Sequence, residues 1–436
     1  MGEGKLFISF PSPQGYGSTM KNHPLIRTLL NLRGNPRACV YTEPLWGIPH
    51  NLYMPFASVY MAALFLTDQQ IGIVASVYAL FQALSALLSG AITDKMGRKL
   101  STFVFDVLAW SVPSLLWAIS QNFWWFLVAA AFNGLMQVTS NSWICLLIED
   151  AENSALVNIF SLVHISGQLA VIFAPIAGLM VNNLSVVPAM RILYAFTFIS
   201  MTSKFIILYL YCDETKVGKV RKKETEGISI FKVMSGYGAI LKCIFASPGM
   251  VLSLAVIAMF SATHLITTNF FGLYATGNLL IPQHMLAYFP IARALIISFF
   301  MFGLQRWLFR FSFTNPLLVG IALYAVSLVV LVLAPKENIL ILFVYILLEA
   351  CAVSLVMPRK ESMTAILIEP SERARISGLI TSLSLAVTMP FGVLAGWLSN
   401  MDRRLPFLVS ICIFTLAFIV IFRSKKLLTH RIDNRE

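Results

Sequence analysis

Residues 90–99 read G-A-I-T-D-K-M-G-R-K and lie between two apolar segments that are each long enough to cross a bilayer. The stretch combines small residues, which permit a tight turn, with one acid and three bases. A helix needs about 20 apolar residues to cross the hydrocarbon core. The sequence here therefore predicts two transmembrane helices joined by a short charged loop.

The composition excludes an ordinary soluble protein. Apolar residues make up 58% of the 436 residues, charged residues make up only 12%, and the mean hydropathy is +0.78. A typical globular domain carries about 25% charged residues. A single water-soluble core does not grow to this length, so lipid must solvate much of the surface. The net charge of +12 could suggest a nucleic-acid partner, but the positions of the charges argue against one.

Apolar segments of membrane-spanning length recur along the chain, and they predict an all-α polytopic membrane protein with twelve transmembrane helices. The predicted spans are Ala38–Leu66, Gln70–Ile92, Leu100–Ile119, Phe123–Ile148, Leu156–Val181, Val187–Tyr211, Met250–Tyr274, Ile281–Leu304, Pro316–Leu333, Ile339–Met357, Ile376–Leu398 and Leu405–Phe422. Pro44, Pro49 and Pro55 interrupt the first span. The predicted domains are a cytoplasmic tail without a cleavable signal peptide (1–37), six spans (38–211), a cytoplasmic linker (212–249), six spans (250–422) and a basic cytoplasmic tail (423–436).

The basic residues predict the orientation of these spans. With both termini in the cytoplasm, 26 of the 32 Lys and Arg residues lie in cytoplasmic segments. Cytoplasmic loops are typically enriched in Lys and Arg. We therefore expect a multi-pass protein of the cell (inner or plasma) membrane with both termini inside. The basic charge then faces lipid headgroups and not nucleic acid.

The pattern G-x-x-x-D-K-x-G-R-K resembles the loop between the second and third helices of the major facilitator superfamily. Its defining positions here are Gly90, Asp94, Lys95, Gly97, Arg98 and Lys99. The resemblance implies two pseudo-symmetric six-helix bundles that rock about a midplane site. It also implies a cytoplasmic gate in which Asp94 caps the helix that starts near Ile376 and Arg98 pairs with Glu149 or Asp150. Such a cap is physically reasonable, because a carboxylate at a helix amino terminus meets free N–H groups and the positive end of the dipole.

An internal repeat is consistent with duplication of one six-helix unit. Leu147-Ile148-Glu149 recurs as Leu367-Ile368-Glu369, at the corresponding place in the second half. The second-half counterpart of the motif loop keeps Arg306 and Arg310 but lacks the acid. We therefore expect any gate built on these loops to be asymmetric.

Charged residues inside spans are candidates for substrate binding and proton coupling, because ionisable groups in a membrane are costly and usually functional. At a rise of about 1.5 Å per residue, Arg293 in span eight and Glu349 in span ten both approach the midplane. Glu43 lies near the inner end of span one. Asp106 in span three and Lys204 in span six lie at similar depths near the cytoplasmic face, and we interpret them as a structural ion pair.

Polar side chains also recur at helical spacing on several spans, which predicts a wet, aromatic-containing cavity for a small-molecule substrate. Interhelical hydrogen bonding is the alternative explanation for each set. The candidate residues are Trp46 and His50 in span one, Asn133, Gln137 and Asn141 in span four, His164 and Gln168 in span five, and His264 and Thr268 in span seven.

The sequence predicts a secondary active transporter of a small organic solute and not an enzyme. The six cysteines are scattered, and neither a nucleophile–base pattern nor a Walker loop is present, so we expect no cofactor, no metal site and no ATP hydrolysis. The expected partners are the solute, protons and membrane lipid, and we expect a monomer. Competition between proton and solute for the Glu349–Arg293 pair would supply the coupling. An uncoupled facilitator, or a lipid or amphiphile flippase of the same fold, is the alternative.

The candidate residues point to opposite classes of solute. Arg293 with His264 would suit an anionic group, whereas Glu43 and Glu349 with aromatic residues would suit an amphipathic cation. In span five, residues 174–179 (A-P-I-A-G-L) match only part of the glycine-rich signature of drug exporters. The sequence therefore assigns neither the charge of the solute nor the direction of transport.

Overall fold

A computed structural model of the chain describes residues 24–152, 155–230, 237–300, 314–367 and 373–423, except for the side chains of residues 24, 239, 243, 314, 361–367 and 373–377. All regular secondary structure within these ranges is helical. The helices are α1 (Pro24–Asn31), α2 (Gly34–Thr42), α3 (Pro44–Tyr53), α4 (Ala57–Ala63), α5 (Asp68–Met96), α6 (Arg98–Asp106), α7 (Val112–Ile119), α8 (Phe123–Asn133), α9 (Met136–Ile148), α10 (Leu156–Val171), α11 (Ala174–Leu184), α12 (Val186–Tyr211), α13 (Lys216–Glu224), α14 (Tyr237–Ala246), α15 (Pro248–Gly277), α16 (Tyr288–Phe299), α17 (Thr314–Val332), α18 (Ile339–Leu367), α19 (Arg373–Met401) and α20 (Leu405–Arg423).

In the described part of the chain, nine helical stretches are long and apolar enough to cross a membrane. They are Asp68–Met96, Arg98–Ile119, Leu156–Leu184, Val186–Tyr211, Pro248–Gly277, Asn315–Val332, Ile339–Lys360, Gly378–Met401 and Leu405–Arg423. Each coincides with a predicted span. The predicted first, fourth and eighth spans are interrupted helices or leave the described residues, so the full count of twelve stays a prediction.

Prolines divide the first span into three pieces. α2 ends at Thr42, and α3 begins at Pro44, where the missing N–H of proline costs no hydrogen bond. Pro49 lies inside α3, whereas Pro55 lies in the 3₁₀ turn Met54–Phe56 that separates α3 from α4. The interruptions account for the absence of one long helix in this span.

The fourth span breaks at Gly134 and Leu135, between α8 and α9. A Cβ atom at Gly134 would lie 2.9 Å from the carbonyl oxygen of Tyr78 and 3.0 Å from the backbone nitrogen of Gln82. Only glycine, which has no Cβ atom, lets α5 pass this close to the break between α8 and α9. In the eighth span, α16 reaches Phe299 and the described chain stops one residue later.

The predicted polar linker contains two helices, α13 and α14. α14 is apolar and packs Ile244 against Leu254 of α15 and Leu379 of α19. α15 then begins at Pro248, two residues before the predicted start of span seven.

The bundle has two ends, which we name by their residues. The motif end carries residues 90–99, and the far end carries the start of α5 at Asp68 and the end of α19 at Met401. α5 and α19 lie antiparallel and join the two halves along their length. Ser382 Oγ donates to the carbonyl of Ala83 at 2.7 Å, and Ser76 Oγ, nearer the far end, donates to the carbonyl of Met389 at 2.6 Å.

Small residues allow α5 and α19 to approach closely at the far end. α19 carries Gly392 and Gly396 four residues apart, facing Gly72 and Ser76 of α5 at the same spacing. A Cβ atom at Gly72 would lie only 2.7 Å from Gly396 Cα. Small residues four apart are a common basis for close helix contact in membranes.

Further close contacts between the halves lie toward the far end. The Cβ position of Gly178 in α11 is 2.8 Å from the carbonyl oxygen of His284, which belongs to the turn before α16. The Cβ position of Gly272 in α15 is 3.2 Å from a methyl group of Val59 in α4. These contacts join the two halves toward the far end.

We predict that Gly396→Ala destabilises the far-end contact, because the new methyl group would meet the carbonyl oxygen of Asp68 at 2.8 Å and Gly72 Cα at 2.9 Å. Overpacking of this kind costs about 1–3 kcal/mol. Gly378→Ala is a matched control on the same helix, because its Cβ position has no atom within 4 Å. Thermal unfolding in detergent should show a lower midpoint for Gly396→Ala only. Equal midpoints in the two variants would contradict the close contact.

Candidate functional site

Arg293 and Glu349, the midplane candidates of the second half, form an ion pair. Arg293 Nη2 of α16 lies 2.9 Å from Glu349 Oε1 of α18. Tyr324 of α17 donates its hydroxyl to the same oxygen at 3.2 Å. Three helices thus meet at one buried carboxylate. The pairing of Arg293 with Glu349 agrees with the similar depth that the sequence predicts for them.

Arg293 faces the interior of the protein and not lipid. The exposed apolar side chains of α16 include Leu295 and Phe299, which are 66% and 70% exposed. At about 3.6 residues per turn, they lie on the side of the helix opposite Arg293. One turn before Arg293, Phe289 is buried. The guanidinium therefore belongs to the face that packs on the other helices.

His264 of α15 lies near the Arg293–Glu349 pair. It is exposed although it stands at the middle of a 30-residue helix. Arg293 and Lys360 are the charged groups that act on it electrostatically. Thr268, one turn further along α15, is half-buried. The structure thus gathers Arg293, Glu349 and His264 into one region of the second half.

Lys204 of α12 has a different ion partner from the one that the sequence predicts. Its Nζ lies 2.8 Å from Glu43 Oε2, and the two side chains are 5% and 12% exposed. The ammonium also lies 5.9 Å from the ring of Trp46 and 5.4 Å from that of Trp143, within cation–π distance. The predicted Asp106–Lys204 pair is therefore corrected to Glu43–Lys204.

Asp106 is directed toward α9 instead. Thr139 donates its hydroxyl to Asp106 Oδ1 at 2.6 Å, and both residues are buried. The π-helical turn Val107–Ser111 follows Asp106 directly. Asn133 donates to the carbonyl of Ala109 in this turn at 2.7 Å. The partner of Asp106 is therefore Thr139, and not Lys204 as the sequence analysis predicted.

Aromatic rings surround His50 in the first half. Trp46 stacks on His50 with ring centroids 4.8 Å apart, and Trp110 meets Trp46 edge-on at 5.2 Å. On the other side of His50, Tyr53 lies 5.5 Å away. Trp46 and His50 are both only partly buried, so this cluster keeps some accessible surface.

The predicted polar row of span four is not one row. The break at Gly134 separates Asn133 from Gln137 and Asn141. Asn133 makes the interhelical hydrogen bond described above, and Asn141 donates to Thr93 Oγ1 of α5 at 3.3 Å. For these two asparagines the structure favours the alternative explanation, interhelical hydrogen bonding.

Three other candidates in the first half remain partly accessible. Gln137 of α9 and Gln168 of α10 are of intermediate exposure. His164, one turn before Gln168, is exposed. These side chains stay candidates for solute contact.

The charged motif loop forms a compact network at the motif end. Gly97 has a φ of +88°, a backbone conformation that favours glycine, and it ends α5. Arg98 Nη1 lies 2.9 Å from Asp94 Oδ1, and Arg98 Nη2 lies 3.1 Å from Glu149 Oε1. Of the two acids proposed for Arg98, Glu149 is the one that it contacts. Asp150 instead accepts a hydrogen bond from the backbone N–H of Lys216 at 3.4 Å.

Glu214 of the linker completes this network, and sequence reasoning missed it. Its carboxylate accepts hydrogen bonds from the backbone N–H groups of Arg98, at 2.9 Å, and Lys99, at 3.2 Å. It therefore caps the amino terminus of α6, where free N–H groups and the helix dipole favour a negative charge. The available signal was an acid placed directly after span six, at the same end as the motif.

Two more linker contacts bind the motif end. Thr215 donates its hydroxyl to Glu149, and Lys95 Nζ donates to the carbonyl of Ile228 at 2.9 Å. The linker is thus attached to the motif loop on both sides of α13.

Some predicted gate contacts lie outside the described side chains. The side chains at the start of α19, including that of Ile376, are not described, so the capping of this helix by Asp94 stays a prediction. The same holds for the second-half repeat acid Glu369 and for Arg306 and Arg310.

An ion pair joins the two halves at the far end. Asp68, at the start of α5, accepts two hydrogen bonds from Arg403: Nε to Oδ2 at 2.8 Å and Nη2 to Oδ1 at 3.0 Å. Ser399 Oγ donates to Asp68 Oδ2 at 2.7 Å. Sequence analysis missed this far-end latch of Asp68, Ser399 and Arg403, because charged residues at span ends resemble ordinary boundary residues.

Comparison with known proteins identifies related sequences. A sequence model of the Major Facilitator Superfamily matches residues 47–384. The Multidrug resistance protein MdtG of Yersinia enterocolitica is 26% identical over 223 residues, which are 49% of this chain and 50% of that protein. MdtG of Serratia proteamaculans is 28% identical over 223 residues, with coverage of 49% and 50%. The chain spans about half the length of the curated relatives it matches.

Solved structures share the fold. The nucleoside transporter NupG superposes with a TM-score of 0.69 at 14% identity and covers 90% of this chain and 100% of its own. The peptide transporter POT in complex with sulfate gives a TM-score of 0.70 at 13% identity and covers 91% of this chain and 95% of its own. At these identities the similarity establishes the fold alone.

We predict that Lys204→Met destabilises the protein by about 3–5 kcal/mol, because it leaves the Glu43 carboxylate buried without a partner. Glu43→Gln combined with Lys204→Met should recover most of the loss, since both charges are then removed. Asp106→Asn is the comparison, because this residue is as buried but bonds to Thr139. Chemical unfolding in detergent measures all of these. A larger coupling energy for Asp106 with Lys204 than for Glu43 with Lys204 would reverse the assignment.

Proposed function

This chain belongs to the major facilitator superfamily, and from that premise we propose that it is a proton-coupled secondary transporter of a small organic solute. The coarser conclusion is that it is a multi-pass membrane transporter and not an enzyme. The observation that supports the finer proposal is the Arg293–Glu349 pair, which joins α16 to α18 within the second half and has a buried carboxylate. Titratable groups at such depth commonly mark substrate and proton pathways.

Proton coupling follows from the chemistry of this pair. As a carboxylate, Glu349 neutralises the charge of Arg293 and accepts a hydrogen bond from the hydroxyl group of Tyr324. When Glu349 takes up a proton, it loses its charge and releases the guanidinium. A solute that contacts Arg293 then binds with an affinity that depends on the protonation state of Glu349. The two binding events are coupled because they act on the same two side chains.

Alternating access requires contacts between the halves that can open in turn. At the far end, these are the latch of Asp68, Ser399 and Arg403 and the glycine contacts of α5 and α19. At the motif end, the candidates are Asp94 and Arg98 with their linker partners. We propose that the halves rock about the midplane site and that the structure represents the state with the far end closed.

We propose that the motif end faces the cytoplasm, together with both termini. The excess of Lys and Arg in the segments at this end supports that orientation. The relatives named as multidrug resistance proteins suggest that the solute of this chain is a drug-like amphiphile.

We predict that Glu349→Gln abolishes solute accumulation driven by a pH gradient, because the variant keeps the shape of the side chain and removes its titration. Exchange of labelled for unlabelled solute should persist, since it needs no net proton movement. Both fluxes can be measured in proteoliposomes. Persistent gradient-driven accumulation would move the proton site elsewhere, with Glu43 as the next candidate.

The same assay tests the alternative functions. An uncoupled facilitator would equilibrate the solute at the same rate with and without a pH gradient. A flippase would move a labelled lipid analogue between leaflets under the same conditions. Either result in the unmodified protein would overturn the proton-coupled proposal.

We predict that Arg403→Gln shifts the protein toward a far-end-open state, because it removes the charged partner of Asp68. The expected shift is roughly 1–2 kcal/mol, about tenfold in population. Arg404→Gln is the matched control, since Arg404 is the exposed neighbour. Spin labels at Phe65 and Leu280, both exposed near the far end and in different halves, report the separation. Unchanged distance distributions in Arg403→Gln would show that the latch does not hold this end closed.

A further inference from the structure

The charged side chains inside the spans differ sharply in accessibility. Apart from Arg191, near the far-end boundary of α12, the predicted spans contain five such residues: Glu43, Asp106, Lys204, Arg293 and Glu349. All of them are described, so their surroundings can be compared directly.

The three carboxylates of this set are occupied and covered. Glu43 pairs with Lys204, and both side chains are 12% exposed or less. Asp106 accepts from Thr139 and is 6% exposed. The side chain of Glu349 is 6% exposed and has Arg293 and Tyr324 as partners. A cationic solute within the spans would therefore meet no accessible carboxylate.

Arg293 is the exception, because its side chain is 39% exposed while that of its partner is 6% exposed. An arginine has five N–H donors, and Glu349 occupies one of them through Nη2. The Nε atom of Arg293 is buried and has no hydrogen-bond partner. Buried polar atoms normally have partners, so the Nε atom leaves one donor of Arg293 unsatisfied in this state.

His264 of α15 belongs to the surroundings of Arg293. Lys360 and Arg293 both act electrostatically on His264, which is itself exposed in the middle of α15. His264 therefore offers a ring N–H group near Arg293, and the Glu349 carboxylate is covered. A planar oxyanion can accept two parallel hydrogen bonds from a guanidinium, which is the strongest neutralising contact available to arginine.

We propose that the solute binds through an anionic group, a carboxylate or a phosphate, to the guanidinium of Arg293, with His264 beside it. This assignment of solute class rests on the proposed transport function of the same site. It decides between the two classes that the sequence left open, because Arg293 is the one accessible charge among the five span residues. A small organic anion, and not an amphipathic cation, is the substrate class.

The assignment also sets the sign of the coupling. When the anion occupies Arg293, a charged Glu349 would leave the site with two negative groups and one positive group. A protonated Glu349 leaves it neutral. Proton and anion therefore bind together and cross together, which makes the protein a symporter.

Binding to purified protein in detergent tests the solute class without any transport. The probes are benzoate and phenyl phosphate, with benzylammonium and benzyl alcohol as a cation and a neutral molecule of the same ring. Thermal shift and intrinsic tryptophan fluorescence are recorded at constant ionic strength. We expect saturable binding of benzoate, phenyl phosphate or both, and the stronger of the two identifies the anionic group.

Three variants connect the binding to Arg293. Arg293→Gln alone leaves Glu349 buried without a partner, so the double variant Arg293→Gln with Glu349→Gln removes both charges and protects the fold. Anion affinity should fall at least tenfold in this double variant. It should stay unchanged in Arg404→Gln, which removes an exposed arginine from the far end.

Two results would overturn the assignment: preferential binding of benzylammonium, or anion binding that survives in the double variant. The transport assay of Glu349→Gln tests proton coupling independently of the solute class. Anion binding at Arg293 with transport that ignores the pH gradient would refute the coupling and leave the solute class intact.

Discussion

A charge inside the hydrocarbon region must have a partner, because an isolated one costs at least about 2.5–3.5 kcal/mol at the middle of a helix. This constraint determines which helices of the protein stay together. Glu43 and Lys204 connect the junction of α2 and α3 to α12, all within the first half. Arg293 and Glu349 connect α16 to α18 within the second half, and Tyr324 adds α17. Each half therefore has an ion pair that connects its own helices.

The contacts between the halves are of a different kind. Asp68 and Arg403 form their pair at the end of the spans, where water can solvate both groups after separation. The glycine contacts of α5 and α19 contribute by dispersion and by weak backbone contacts, and each such contact is small. Ser76 adds hydrogen bonds across the interface that water can replace. The protein is thus built so that the halves separate more easily than either half unfolds, which is what rocking requires.

Much of this arrangement is predictable from the sequence, and the failures have identifiable causes. Long apolar runs predicted the nine membrane-length helical stretches of the described residues, because the thickness of the bilayer fixes the length of a spanning helix. Depth counting placed Arg293 and Glu349 at one level, and the structure pairs them. The same counting gave Lys204 the wrong partner, because several acids lie near that level and depth alone does not say in which direction a side chain points. Gly134 ended a helix inside span four, so spacing along the chain no longer measured position on a face.

The contacts that sequence reasoning missed are those in which distant segments meet. Glu214 and Asp68 look like ordinary boundary acids, and their partners lie 115 or more residues away. Nothing in local periodicity reports such a distance.

In the proposed mechanism, charge balance at Arg293 links the solute to the proton. In the solute-free site, the guanidinium and the Glu349 carboxylate cancel, and the site is neutral in a region of low dielectric. An entering anion would add an uncompensated charge there, at a cost comparable to that of burying any single ion. Uptake of one proton by Glu349 removes this cost, since the anion then takes the place of the carboxylate beside the guanidinium. The proposed proton coupling thus follows from one accessible cation and one covered acid in the same site.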